Sequence, residues 1–75
     1  MVYSWEEWNK VKVGSCFILH PKNGNTEKYE IIRKTGEKIT CNVYVNGKMQ
    51  SKKFTTTISE IYWDNQYGLG VELVL

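Results

Sequence analysis

The chain has 75 residues, enough for one domain spanning 1–75 and for a single small core. Its ten basic and eight acidic residues leave a formal net charge of +2, which is too mild to indicate nucleic-acid binding from the total alone. No apolar stretch approaches the ~20 residues that a membrane-spanning helix needs, so we expect no membrane partner.

The first seven residues, from Met1 to Glu7, lack the basic and apolar pattern of a signal peptide. We therefore expect a cytoplasmic protein in a reducing compartment, with Cys16 and Cys41 as free thiols. Three Trp, five Tyr and two Phe are a heavy aromatic load for this length. Each buried ring removes roughly 150–250 Å² from water, so we expect most of these rings in the core.

A capping box predicts a short helix at the N-terminus. Ser4 is followed three residues later by Glu7, and the pattern favours a helix that runs to Lys10. Trp5 and Trp8 lie three residues apart and therefore share a face of that helix. We expect this face to cover one end of the core.

The rest of the chain predicts strands. The clearest is Lys38–Val45, where Ile39, Cys41 and Val43 alternate with polar residues, and Asn46-Gly47 after it is a strong hairpin signal. Residues 59–63 fit either a single 3₁₀ turn or a continuation of the preceding strand, and residues 65–70 read as a loop. The other predicted strands are Cys16–Leu19, 28–34, 48–57 and 71–75.

These elements predict a mainly β fold with a short N-terminal helix. The strands form either a single small antiparallel barrel or a strongly curled five-stranded sheet. Three segments carry a resemblance to SH3-like small barrels, including the Tudor-like and KOW-like ones: residues 13–17, residues 29–32 and the turn at 59–61. The resemblance implies the topology and no binding residues.

The sequence offers little to build a catalytic or metal site from. His20 is the single histidine, and the Cys16–His20–Cys41 set lacks the fourth ligand and the paired spacing of structural zinc sites. Cys41 alternates with Ile39 and Val43 and should be buried, whereas Cys16 lies on the opposite face from Phe17. We predict no enzyme activity, no catalytic residues, no metal and no cofactor.

Two candidate binding surfaces remain. The first is a group of large apolar side chains near the end of the chain, of the types enriched in interface hot spots. The second is a basic set around one tyrosine, suited to stacking bases and pairing phosphates, although a solvated sheet face is the alternative interpretation. The first set is Tyr62, Trp63, Tyr67 and Leu69; the second is Arg33, Lys34, Lys38, Tyr44, Lys48, Lys52 and Lys53.

The sequence therefore predicts a non-catalytic binding protein that acts by surface complementarity toward a protein partner. In size it is analogous to phage and mobile-element proteins that inhibit host enzymes, anti-CRISPR proteins among them, although no motif supports the analogy. The alternative is a small barrel that binds nucleic acid or a nucleotide on the lysine and tyrosine face. Edge strands of such a sheet also allow a homodimer.

Overall fold

The computed structural model describes residues 3–20, 24–66 and 70–75. The fold is mainly β, as the sequence predicts, with 45% of the described residues in strands and 21% in helices. The elements are α1 (Trp5–Asn9), β1 (Cys16–Leu19), β2 (Glu27–Thr35), β3 (Lys38–Val45), β4 (Lys48–Met49), β5 (Phe54–Thr57), α2 (Ile58–Gln66) and β6 (Glu72–Val74).

All the strands join one antiparallel sheet in the order β4-β3-β2-β1-β6, with β5 also paired to β3. The described strands leave this antiparallel sheet open, so they do not form the closed barrel that was one of the two predicted forms. The predicted strand 48–57 is two strands, because residues 50–53 leave the ladder between β4 and β5. Residues 48–53 are exposed, as expected of a polar segment beyond the core.

The N-terminal helix forms where the capping pattern predicts it. Ser4 is extended and its hydroxyl accepts a hydrogen bond from the backbone N–H of Glu7 at 3.3 Å. Trp8 is buried, and Trp5 is half-buried against the core. The expectation that this face covers the core is therefore confirmed.

The second helix is where the sequence reading was wrong. Residues 58–66 form an α-helix, which is neither the 3₁₀ turn nor the strand continuation, and Asn65 and Gln66 belong to the helix and not to a loop. The Thr57 hydroxyl accepts a hydrogen bond from the backbone N–H of Glu60 at 3.2 Å, which stabilises the first turn. Ile58 and Ile61 are buried one turn apart and fix the face that packs inward.

One face of the sheet, called here the inner face, is covered by the two helices. The sheet contributes Phe17, Ile31, Ile39 and Cys41 to the core, and Trp8, Ile58 and Ile61 pack on them from the helical layer. The other face, the outer face, carries the alternate residues of each strand, among them Arg33, Lys38, Thr40 and Tyr44. The described residues thus form two layers, with α1 and α2 on the same side of the sheet.

A β-bulge at Ile32 decides which side chains of β2 reach the outer face. Ile31 pairs with Cys41, but Arg33 and not Ile32 pairs with Thr40, so Ile32 is the extra residue. Because side chains alternate along a strand, the extra residue moves Arg33 to the outer face. Lys34 is moved to the inner side, where its Nζ donates a 2.7 Å hydrogen bond to the carbonyl of Val11.

Candidate functional site

Three aromatic rings form an exposed cluster on the helical layer. The ring centres of Trp5 and Tyr62 are 5.1 Å apart at an interplanar angle of 75°, and those of Tyr62 and Trp63 are 5.2 Å apart at 68°. These are edge-to-face contacts, which hold rings in defined orientations. Trp63 stays 54% exposed, although a tryptophan is one of the largest apolar side chains. We call Trp5, Tyr62 and Trp63 the aromatic cluster.

The aromatic cluster lines a shallow cavity of about 280 Å³ together with Ser59. Ile58 and Ile61 turn inward, and Ser59, Tyr62 and Trp63 lie together on another side of α2, because residues three and four apart are neighbours on a helix. The Ser59 hydroxyl donates a 2.8 Å hydrogen bond to the carboxylate of Glu37 in the β2–β3 turn. This bond ties the start of α2 to the sheet and helps to fix the rim of the cavity.

The two helices that carry the aromatic cluster are acidic. The helix sequences WEEWN and ISEIYWDNQ contain four carboxylates and no lysine or arginine. Glu60 and Asp64 are four residues apart, and because 58–66 is helical they lie on one side of α2. The four acidic residues of the helical layer are Glu6, Glu7, Glu60 and Asp64.

Half of the predicted partner-binding set can be placed. Tyr62 and Trp63 belong to the aromatic cluster, whereas Tyr67 and Leu69 lie outside the described residues. Trp5 joins the cluster, although the sequence predicted that it covers one end of the core.

The spacing of Thr57 and Glu60 is the signal for α2 that the sequence analysis missed. A threonine followed three residues later by a glutamate is the pattern of a helix start.

The predicted basic set does not gather on one face. Arg33 and Lys38 lie on the outer face, and so does Tyr44, but Lys34 faces the inner side. Lys48 pairs with Val45, the residue after Tyr44, and therefore faces the opposite side of the sheet from Tyr44. Lys52 and Lys53 lie in the segment between β4 and β5. A continuous lysine and tyrosine face therefore does not form among the described residues.

Tyr44 sits in a mixed electrostatic environment. Its hydroxyl donates a 3.3 Å hydrogen bond to the carboxylate of Glu30, and the Nζ of Lys28 lies 5.8 Å from its ring centre. Partial burial and the negative charge of Glu30 raise the pKa of Tyr44. The ring is held by its neighbours, and an acidic group occupies the same part of the outer face.

Arg33 and Lys38 instead share a cavity of about 340 Å³ with three threonines. We call it the outer-face pocket, and its lining residues are Arg33, Thr35, Lys38, Thr40 and Thr55. Two adjacent rows of the sheet supply them: Arg33, Thr40 and Thr55 align across three strands, and Thr35 pairs with Lys38 in the next row. The sequence interpretation named the two cations but none of the threonines.

The groups that carry covalent or metal chemistry are buried or scattered. Cys16 and Cys41 are both free and buried, and burial raises the pKa of the Cys41 thiol to about 11. The expectation that Cys41 is buried is confirmed, and Cys16, on the opposite face from Phe17, is buried as well. The Nε2 of His20 lies 3.6 Å from a carboxylate oxygen of Glu72, and both side chains are exposed. Among the described residues, no three His, Cys, Asp or Glu side chains are grouped to hold a metal ion.

Comparison with known proteins adds no family to this description. No protein-family model, curated protein or solved structure matches the chain. Within the described ranges, neither helix has the length and apolar character required to cross a membrane. The function must therefore be inferred from the surfaces themselves.

Proposed function

We propose that this protein is a non-catalytic binding protein that docks a protein partner through the aromatic cluster. The observation that carries the proposal is Trp63, 54% exposed on a cavity that Trp5 and Tyr62 also line. Removing that exposed part of the ring from water is worth about 2–3 kcal/mol gross. Tryptophan and tyrosine in such positions are the residue types that dominate interface energies.

The charges of the helical layer indicate the chemistry of the partner. Glu6, Glu7, Glu60 and Asp64 give the two helices that carry the aromatic cluster a negative charge, and no basic residue of either helix offsets it. A partner surface with lysines or arginines around an apolar anchor is complementary to this arrangement. Arginine is especially suitable, because its guanidinium also stacks on tryptophan faces.

The size of the surface constrains how the partner sits. A stable interface buries roughly 800 Å² on each partner, about a sixth of the 5045 Å² that this chain exposes. The aromatic cluster is smaller than that, so the interface must extend over the acidic residues of α1 and α2. This makes the cluster the centre and the carboxylates the rim of the contact.

The narrower proposal is that binding inhibits the partner. Positively charged protein surfaces commonly serve nucleic acids, and a protein that covers one with an acidic face would exclude the nucleic acid. A phage or mobile-element inhibitor of a host enzyme would act in this way. The unpaired thiols Cys16 and Cys41 are compatible with the cytoplasm as the compartment.

Affinity capture with matched variants tests the proposal. Wild-type protein, Trp63→Ala and Met49→Ala are immobilised separately, since Met49 is 58% exposed on the distant strand β4 and provides an apolar control. We expect one partner with a basic surface, retained by wild type and Met49→Ala and lost by Trp63→Ala. Retention by all three proteins, or by none at micromolar concentration, would contradict the proposal. Circular dichroism confirms that each variant is folded.

A further inference from the structure

We infer that the outer-face pocket binds the phosphoryl group of a small phosphate monoester or of inorganic phosphate. The pocket lies on the opposite side of the sheet from the aromatic cluster, so this site is separate from the proposed protein interface. Its lining combines two permanent cations with three hydroxyl groups. That combination matches an anion with several acceptor oxygens.

The described residues leave the side-chain donors of the pocket unused. In the part of the chain that the structure describes, the side chains of Arg33 and Lys38 form no ion pair, and the threonine hydroxyls of the pocket have no partner. The guanidinium presents donors in a planar fork that fits two oxygens of one phosphoryl group. Lys38 adds a point charge from the adjacent row, and Thr40 and Thr55 continue the row of Arg33.

The bulge at Ile32 is what creates this juxtaposition. With regular alternation from Ile31 to Arg33, Arg33 would pair with Ile39 and its guanidinium would face the core. Thr35 would then no longer pair with Lys38. Bulges often re-aim a side chain next to a functional site. The local irregularity therefore places one cation and one hydroxyl in the pocket at the same time.

The pocket favours a small ligand over a nucleic-acid strand. Within the described residues no aromatic ring lines it, so a base has no stacking platform there. Tyr44 is four residues from Thr40 along β3, at a distance of roughly 13 Å. Glu30, opposite Asn42 in the next row of the outer face, opposes a continuing phosphate backbone. A volume of about 340 Å³ accommodates a phosphoryl group and a small attached group such as a sugar.

The test is an NMR titration of isotope-labelled protein at constant ionic strength. Inorganic phosphate, ribose 5-phosphate and a single-stranded oligonucleotide are added separately. We expect saturable shifts of the amide signals of Thr35, Lys38, Thr40 and Thr55 with millimolar phosphate or ribose 5-phosphate. Whichever of these two binds more tightly identifies the source of the phosphoryl group.

Matched variants make the assignment specific. Arg33→Gln is expected to weaken binding roughly tenfold or more, because a charge-assisted hydrogen bond is lost, and Thr40→Val to weaken it a few-fold. Lys28→Gln is the control, since Lys28 is an exposed cation on the outer face beside Tyr44. Absence of saturable shifts, equal weakening by Lys28→Gln, or tighter binding of the oligonucleotide would each overturn the inference.

Discussion

Arg33 lies directly opposite Thr40 on the outer face of the sheet, although Ile31, two residues earlier, pairs with Cys41 on the inner face. An unbroken strand would keep Ile31 and Arg33 on the same side. The extra residue Ile32 exchanges the faces of the sheet to which the following side chains of β2 point. The core and the outer-face pocket therefore both depend on one bulge.

Deleting Ile32 is predicted to preserve the fold. Without it, Ile31 still pairs with Cys41 and Arg33 follows at once opposite Thr40, so no side chain changes face. The expected loss is about 1–2 kcal/mol of unfolding free energy, from the half-buried isoleucine and a flatter strand. Chemical denaturation followed by circular dichroism measures this loss.

The control for that deletion removes Asn42 from the regular ladder of β3. There the missing residue must turn part of β3 to the wrong face, because no compensating bulge exists opposite it in the described strand. We expect this variant to be unfolded. Equal stability of the two deletion variants would show that the bulge does not set the register.

The start of α2 depends on the hydroxyl of Thr57. Thr57→Val removes the acceptor for the Glu60 N–H while keeping the shape and β-branching, and should cost about 1 kcal/mol. Thr57→Ser retains the acceptor and should cost less, and Thr55→Val provides a control in the same strand. Denaturant midpoints measure the three effects. If Thr57→Val and Thr55→Val were equally stable, the cap would have no energetic role.

The strands were predictable because their signals are local. Lys38–Val45 alternates strictly and is followed by Asn46 and Gly47, whose φ angles of 51° and 86° fit the positive-φ hairpin turn that these residues favour. The helix α1 likewise follows from its cap. Helix α2 was missed because threonine-rich β5 runs directly into it, and strand propensity concealed the signal at Thr57 and Glu60.

The binding surfaces were only partly predictable, because each depends on a relation between distant elements. The sequence indicates Tyr62 and Trp63, but only the contact of α1 with α2 adds Trp5. It indicates Arg33 and Lys38 as well, but the threonines join them through pairing of β2, β3 and β5. Alternation alone gives no means to foresee a bulge, so it could not be predicted that Arg33 and not Lys34 faces the outer side.

Stability is predicted to fall at alkaline pH because of Cys41. Burial raises the pKa of this thiol from 9.0 to about 11 in the folded protein. Between these values the folded chain holds a proton that the unfolded chain has released, so folding stability decreases as pH rises through this window. The half-buried Tyr29, with a pKa of about 12, extends the decrease to higher pH.

Denaturant unfolding at a series of pH values from 8 to about 11 measures this loss. Cys41→Ala has no thiol to titrate, so its stability should vary less with pH over the range in which the wild type declines. The cavity left by the substitution lowers stability at every pH and does not alter the slope. Parallel slopes for the two proteins would exclude Cys41 as the cause.

The acidic rim is predicted to accelerate association with the partner. Asp64 is exposed on α2, one residue beyond Trp63, and Asp64→Lys reverses a charge without touching the Thr56–Glu60 hydrogen bond. Rim charges act mainly through long-range attraction, so the variant should associate several-fold more slowly at low salt, with little change in dissociation. The difference in association rate should shrink as salt approaches 1 M, where the screening length is about 3 Å.

Glu72→Lys is the control, because it makes the same charge change on edge strand β6 and not on a helix. Surface plasmon resonance compares the association rates of wild type and the two variants. Equal slowing by both variants would mean that net charge, and not the acidic surface around Trp63, guides the partner.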